Sequence, residues 1–275
     1  MRLSQRLSRI VWLTRNNLEH LECLDHLEYL EPSRMEKAIK QYIEKHGFER
    51  FCPKAVLFDM DGVIYDSMPN HSCSWSQAMA DFGLEMPPSG AYEYEGMRGV
   101  ETIQKLARQQ WGREVNEEEA QKMYAHKSEL FAACKPAELM PGIQQLMEQI
   151  KACGLNICIV TGSAQHVLLD KLENDLQGLV SKDLMVTAFD VKHGKPAPEP
   201  YLKGLEKCGV HPWEAMVVEN APLGVRAAVA AQCFTIAVNT GPLPDEMLTN
   251  EGANLIFPRM TALSDAWHSI MECLK

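Results

Sequence analysis

The tightest constraint on the fold is a four-residue apolar run, Ala55-Val56-Leu57-Phe58, that ends in Asp59-Met60-Asp61-Gly62. So short a run cannot make a helix, and its closure by Asp-x-Asp-Gly reads as a strand buried on both faces. Runs of the same kind recur at residues 156–160, 184–188, 215–218, 234–238 and 254–257. Helical stretches separate most of them. In residues 142–153, Ile143, Leu146, Met147 and Ile150 share one helix face. Strands alternating with helices predict an α/β fold: a parallel sheet covered by helices on both sides.

One interval breaks the alternation. Between the first strand and Pro141-Gly142, about 70 residues carry helical periodicity and no clear strand. Ala120, Met123, Tyr124, Lys127, Leu130, Phe131 and Cys134 trace one face, and Trp75 and Phe82 read as core of the same unit. An insertion this long predicts a small helical domain over the carboxyl edge of the sheet. Residues 1–50 read as two helices broken near Pro32, with Leu18, Leu21, Leu24 and Leu27 at every third position; Pro32-Ser33 followed by Glu36 resembles a helix start. They carry no recognisable chemistry. The predicted organisation is a helical extension at 1–50, a catalytic core at 51–69 and 139–275, and a cap at 70–138.

A formal net charge of −10, with no stretch that concentrates Lys and Arg, argues against a nucleic-acid surface. It leaves room for small phosphorylated substrates, which local charge and metal can hold. No run is long enough for a membrane span. The opening segment, with Arg2, Arg6, Arg9 and Arg15, lacks the features of a secretory signal; it reads as a helix packed on its own protein, or else as a basic amphipathic helix meeting a partner or membrane. Nine scattered cysteines with no C-x-x-C pair predict reduced thiols in a cytoplasmic protein. Oligomeric state is left open.

Four segments sit just beyond strands, where open α/β sheets place their ligands. Asp59 and Asp61, at i and i+2 of an extended segment, point the same way and offer hard oxygens to Mg2+; a carboxylate there can also attack phosphorus. Thr161-Gly162-Ser163 brings a hydroxyl and amides to a helix start, suited to a phosphate oxygen. In Gly194-Lys195-Pro196-x-Pro198-x-Pro200 the prolines hold an extended path that can aim Lys195 inward as a point charge. Glu219-Asn220-Ala221-Pro222-Leu223-Gly224 adds a carboxylate and an amide oxygen. Each segment alone has an ordinary reading, as a turn, a helix cap or a solvated loop.

Taken in this order, Asp59-x-Asp61-Gly-Val, Thr161-Gly-Ser, Lys195-Pro and Glu219-Asn220 resemble the four motifs of the haloacid dehalogenase (HAD) superfamily. The insertion resembles the cap of its β-phosphoglucomutase-like branch. Segments 66–71 and 94–99 resemble the two that bracket the cap entrance, and runs 194–201 and 219–225 are similar to phosphatases and inorganic pyrophosphatases of that branch. The likeness covers roughly residues 54–275. It implies a Rossmann-like HAD core with a parallel sheet, plus a small α-helical cap inserted after the first strand. It implies further that Asp59 attacks phosphorus, that Asp61 protonates the leaving oxygen and then activates water, and that Thr161 and Lys195 hold the transferring group. Mg2+ would rest on Asp59, the Asp61 carbonyl and the fourth motif, Glu219 and Asn220. Gly162, Ser163, His71, Glu95 and Arg98 would face substrate.

Two departures stand out. Relatives often carry a second acid where Asn220 stands, so one negative charge is missing. The cap loop often reads Glu-Gly-Arg-Thr-Gly, whereas Met97-Arg98 occupy the Arg-Thr positions here. Glu95 has two readings: a further metal ligand favouring pyrophosphate, or a cap on a helix beginning near Val100. The expected activity is Mg2+-dependent hydrolysis of a small phosphorylated metabolite or pyrophosphate through an aspartyl phosphate. A β-phosphoglucomutase-type mutase and a non-catalytic HAD-fold binding protein are the alternatives.

Overall fold

The structure, a computed structural model, describes residues 31–162 and 166–274, with residues 166–170 described by their backbone alone. The basic opening segment, the leucine series at 18–27 and the first helix of the expected N-terminal pair lie outside the described residues.

Among the described residues, six strands form one sheet: β1 (Ala55–Phe58), β2 (Asn156–Val160), β3 (Met185–Val186), β4 (Ala215–Glu219), β5 (Phe234–Val238) and β6 (Leu255–Phe257). All pairings are parallel, in the order β3-β2-β1-β4-β5-β6. The two-residue alternation of a strand sends Val56 and Phe58 into a core with Met147, Phe234 and Trp267, and Ala55 and Leu57 into a second core with Tyr201 and Ala227. Both faces are therefore buried, which is why the strands read as unbroken apolar runs.

The helices are α1 (Pro32–His46), α2 (Met68–Asp81), α3 (Gly90–Glu93), α4 (Gly99–Trp111), α5 (Glu117–Ala132), α6 (Ile143–Ala152), α7 (His166–Asp175), α8 (Glu199–Cys208), α9 (Pro222–Ala230), α10 (Asp245–Asn250) and α11 (Met260–Glu272). Helices α2 to α5 form the cap between β1 and β2, with their own core of Trp75, Met79, Ile103, Leu106 and Met123. At the start of α5, Asn116 Oδ1 accepts a 2.8 Å bond from the Glu119 amide, and three acids fill the first turn.

Three expectations change. Phe82 is not cap core: it stands at the end of α2, 39% exposed, edge-on to His126. The strand expected at 184–188 shrinks to Met185–Val186. Leu184 belongs to a 3-10 turn, and the Thr187 amide and hydroxyl both donate to Asp190 Oδ2, which turns the chain out of the sheet. The last strand begins at Leu255, because the Asn254 side chain instead takes the Thr235 amide at 2.8 Å.

The described part of the N-terminal segment is built into the body. Met35, Ala38, Ile39 and Tyr42 of α1 are buried in the main core. The Tyr42 ring meets Phe51 and Phe234 at 5.0 and 5.4 Å, and its hydroxyl donates to the Gln232 carbonyl at 2.8 Å. Absence of a chemical motif is no sign of absence of packing.

β1 occupies the middle of the sheet, and its neighbours run off in opposite directions of sequence. Phe58 is level with Ile159 of β2 and Val218 of β4, so Asp59, Thr161 and Glu219 emerge together at the carboxyl edge. The Asp59 amide donates to Val218 O at 3.0 Å, and the Thr161 amide to Val186 O at 2.9 Å, holding these exits on the sheet frame. Such a reversal point is where α/β sheets form their crevices. No helix among the described residues is long and apolar enough to cross a membrane.

Candidate active site

The floor of the crevice is an ion-pair cluster. Lys195 Nζ lies 2.5 Å from Asp59 Oδ1 and 2.6 Å from Glu219 Oε1, and all three side chains are buried. It also donates to Val160 O at 3.3 Å, at the end of β2. Burial alone would lower the Lys195 ammonium, but the Asp59 and Glu219 carboxylates hold it above the ordinary value. Breaking one member of such a group leaves uncompensated buried charge, at about 3–5 kcal/mol.

Glu219 is fully committed to this cluster. Besides Lys195, its Oε1 accepts from the Tyr201 hydroxyl at 2.5 Å, and its Oε2 from the amides of Asn220 and Ala221 at 3.0 and 3.3 Å. A Cβ on Gly224 would stand 1.9 Å from Oε1, so only glycine leaves room for the carboxylate at the start of α9. Of the two expected metal ligands in this segment, Glu219 therefore serves Lys195. Asn220 is the one with an oxygen to give.

In the crevice, among the described residues, two buried side-chain oxygens find no hydrogen-bond partner: Asp59 Oδ2 and Asn220 Oδ1. Unsatisfied acceptors at such depth are costly unless a cation or donor completes them. The charge count of the fully buried groups agrees: Asp59, Asp61 and Glu219 set three carboxylates against two ammonium groups, Lys127 and Lys195, leaving one negative charge. Burial and the neighbouring carboxylates push the Asp59 carboxyl upward against the pull of Lys195, a push that a cation at Oδ2 would offset. No cluster of three or more His, Cys, Asp or Glu suited to a metal occurs among the described residues. The open set is oxygen only, mixing carboxylate and amide, which fits Mg2+ and not a softer ion.

The cap supplies the second wall. His71 Nε2 approaches Asp61 Oδ1 to 3.3 Å, Ser67 Oγ donates to the same oxygen at 2.6 Å, and Lys127 Nζ meets His71 Nδ1 at 3.0 Å. Burial would raise the Asp61 carboxyl, but His71 and Ser67, with Lys127 behind them, outweigh it and hold Asp61 below the ordinary carboxylate range. Burial pulls Lys127 down to about 8, although Glu95 and Asp61 oppose the shift. Lys127 also lies over the Phe131 ring at 4.6 Å.

The cap is closed on the core. A Cβ on Gly96 would come within 2.8 Å of the Lys195 side chain, and one on Gly194 within 3.3 Å of Arg98 Cγ. The cavity enclosed between them measures about 200 Å3. Asp61, Thr161, Gly162 and Lys195 line it from the core, and His71, Glu95, Arg98 and Lys127 from the cap, with Trp75, Tyr124 and Phe131 as aromatic walls.

Of the expected residues, Asp59, Asp61, Thr161, Lys195, Glu219 and Asn220 gather at the sheet edge, and His71, Glu95 and Arg98 face them. Gly162 is exposed at the cavity rim; Ser163 lies outside the described residues. Glu95 accepts from its neighbour Gly96's amide, and α4 starts at Gly99 with no side-chain cap, so the helix-capping reading of Glu95 gives way to the cavity one. Burial pushes its carboxyl upward. Arg98 is exposed, with Glu101 at 3.6 Å. Sequence reasoning missed Lys127, Ser67 and Tyr201 as members of the site. For Lys127 a signal existed: one ammonium group in a helix face otherwise made of Ala120, Met123, Tyr124 and Phe131.

Comparison with known proteins identifies the family and the fold. Residues 56–238 match the model of the family described as haloacid dehalogenase-like hydrolase. Hexitol phosphatase A of Escherichia coli (strain K12) is 32% identical over 68% of this chain and 83% of its own length. A phosphorylated carbohydrates phosphatase of Thermotoga maritima is 30% identical over 65% of this chain and 81% of its own. A solved structure, "Putative beta-phosphoglucomutase from Bacteroides vulgatus", superposes with a TM-score of 0.86 at 48% identity, covering 89% of this chain and 100% of that one.

Proposed function

The chain belongs to the haloacid dehalogenase-like hydrolase family, in its β-phosphoglucomutase-like branch, and from that membership we propose that it is a magnesium-dependent phosphohydrolase of small phosphorylated metabolites. The observation that carries the reading is the state of Asp59. One oxygen is tied to Lys195, and the other is buried, open and level with the strand end that bears Asn220.

In this reading Asp59 attacks phosphorus and displaces the alcohol or phosphate leaving group, forming an aspartyl phosphate. Lys195 and Thr161 hold the non-bridging oxygens, and Lys195, with the cation that Oδ2 would take, opposes protonation of Asp59. Asp61 takes a proton from the water that hydrolyses the intermediate, and gives it to the leaving oxygen in the next turnover. His71 and Ser67 fix the Asp61 carboxylate for that exchange. Asp59, the Asp61 carbonyl and Asn220 would hold Mg2+, which when bound neutralises charge on the phosphoryl group. Residues 70–138 act as the cap and 51–69 with 139–275 as the core, the cap excluding bulk water from the acyl phosphate.

A closed space of about 200 Å3 suits a compact metabolite and not a polymer, being below the roughly 300–1,000 Å3 common for ligand sites. Sugar phosphates lead the substrate list, because relatives at 30% identity and above are named for them. Pyrophosphate stays on it because Glu95 lines the cavity and would offer the metal a further carboxylate. The 48% identical structure bearing a mutase name favours a second reading, intramolecular transfer between sugar hydroxyls. Release of phosphate from p-nitrophenyl phosphate, sugar phosphates and pyrophosphate, with Mg2+ and with chelator, tests the proposal. Conversion of a hexose 1-phosphate into its 6-phosphate without phosphate release would favour the mutase.

A further inference from the structure

Where relatives often place a second acid, this site has Asn220, and an amide serves a cation only with its oxygen inward. We propose that Thr240 sets that orientation, as a positioning residue for Asn220, an inference that rests on the magnesium reading above. Thr240 Oγ1 donates to the Gly62 carbonyl at 2.7 Å. A hydroxyl has one proton, so toward Asn220 it presents only lone pairs. Asn220 meets it with Nδ2 at 3.5 Å. That bond is long and weak, but the flipped amide would set oxygen against oxygen.

Gly62 closes the other side. A Cβ there would stand 2.0 Å from Asn220 Nδ2, so the amino group lies directly against the glycine backbone, whose φ is 82°. With Nδ2 wedged between Gly62 and Thr240, Oδ1 is left buried and without a donor. Thr240 is held in turn by its own amide, which donates to Val238 O at 2.9 Å just past β5. The device has meaning only for an amide. An aspartate presents an oxygen either way, and needs no partner to choose its face.

The test is Mg2+ binding to the intact, substrate-free protein by isothermal titration calorimetry, in wild type, T240V, T240S, N220D and N220D/T240V. T240V should weaken binding by about tenfold, the lower end of what loss of an outer partner of a metal ligand costs. T240S should stay within about twofold of wild type, since it keeps the hydroxyl. In the N220D background the same valine substitution should cost less than about twofold. Equal affinity of T240V and wild type overturns the inference alone. So does an equal loss in both backgrounds, which would mean a general loosening of the loop. Wild-type protein that takes up no Mg2+ overturns the metal reading, and this inference with it. T240A serves as the second variant should valine disturb the fold, and carries the same expectations.

Discussion

Lys127 Nζ lies 3.0 Å from His71 Nδ1, on the far side of the ring from Asp61. An ammonium group has only donors, so Nδ1 must accept and Nε2 must carry the proton that points at Asp61. The cap thereby fixes the tautomer of the histidine that meets Asp61.

This arrangement predicts a pH dependence. With Lys127 at about 8, kcat/KM should fall as pH rises through that value, because the neutral amine no longer enforces the tautomer. Lys127→Met should lower kcat/KM by about tenfold or more and remove that alkaline limb. An unchanged limb in the variant would assign it to another group. Stability moves the other way. The folded pKa is depressed from 10.5, so between about 8 and 10.5 the unfolded chain holds more protons and the protein gains stability as pH rises. Denaturant midpoints across that window should show a positive slope in wild type that is smaller in Lys127→Met.

Asn220→Asp should tighten Mg2+ binding by about tenfold, through one more anionic oxygen beside Asp59. Chelator should abolish turnover, and Mg2+ should restore it. A titration with unchanged or weaker Mg2+ dependence in the variant would place Asn220 outside the coordination sphere.

Glu95→Ala should lower turnover of pyrophosphate more than that of p-nitrophenyl phosphate, if the carboxylate engages a substrate's second charged group through the metal. Equal losses on the two substrates, or none, would return the weight to sugar phosphates, whose hydroxyls Glu95 would instead accept.

Tyr42→Ala should destabilise the protein by about 3–5 kcal/mol, as for other large buried rings, while leaving activity per folded molecule unchanged. Removal of residues 1–50 should fail for the same reason: it strips Met35, Ile39 and Tyr42 from the main core. A truncated protein as stable as the full chain would contradict the packing role of α1.

The sheet and the four strand-end motifs were legible because each is local: an apolar run, then an acid or hydroxyl, within a few residues. The cap was legible by its length and helical period. What stayed hidden depends on approach between distant segments. Lys127 and His71 are 56 residues apart, and Tyr201 meets Glu219 across 18. The competition for Glu219 between Lys195, Tyr201 and two amides cannot be read from Glu219-Asn220 alone, so the choice of metal ligand between them stayed open. Phe82 misled because helical spacing does not say which residue the helix end turns outward.

The central claim is that Asp59 carries the phosphoryl group. It is tested most directly by rapid acid quench of the enzyme with Mg2+ and a turned-over phosphate ester, followed by mass spectrometry of the peptide that contains Asp59. The account predicts one phosphoryl group on Asp59 during turnover, lost on neutralisation, and neither phosphorylation nor appreciable turnover in Asp59→Asn. Near wild-type turnover in Asp59→Asn, or phosphate found on another residue, would contradict it.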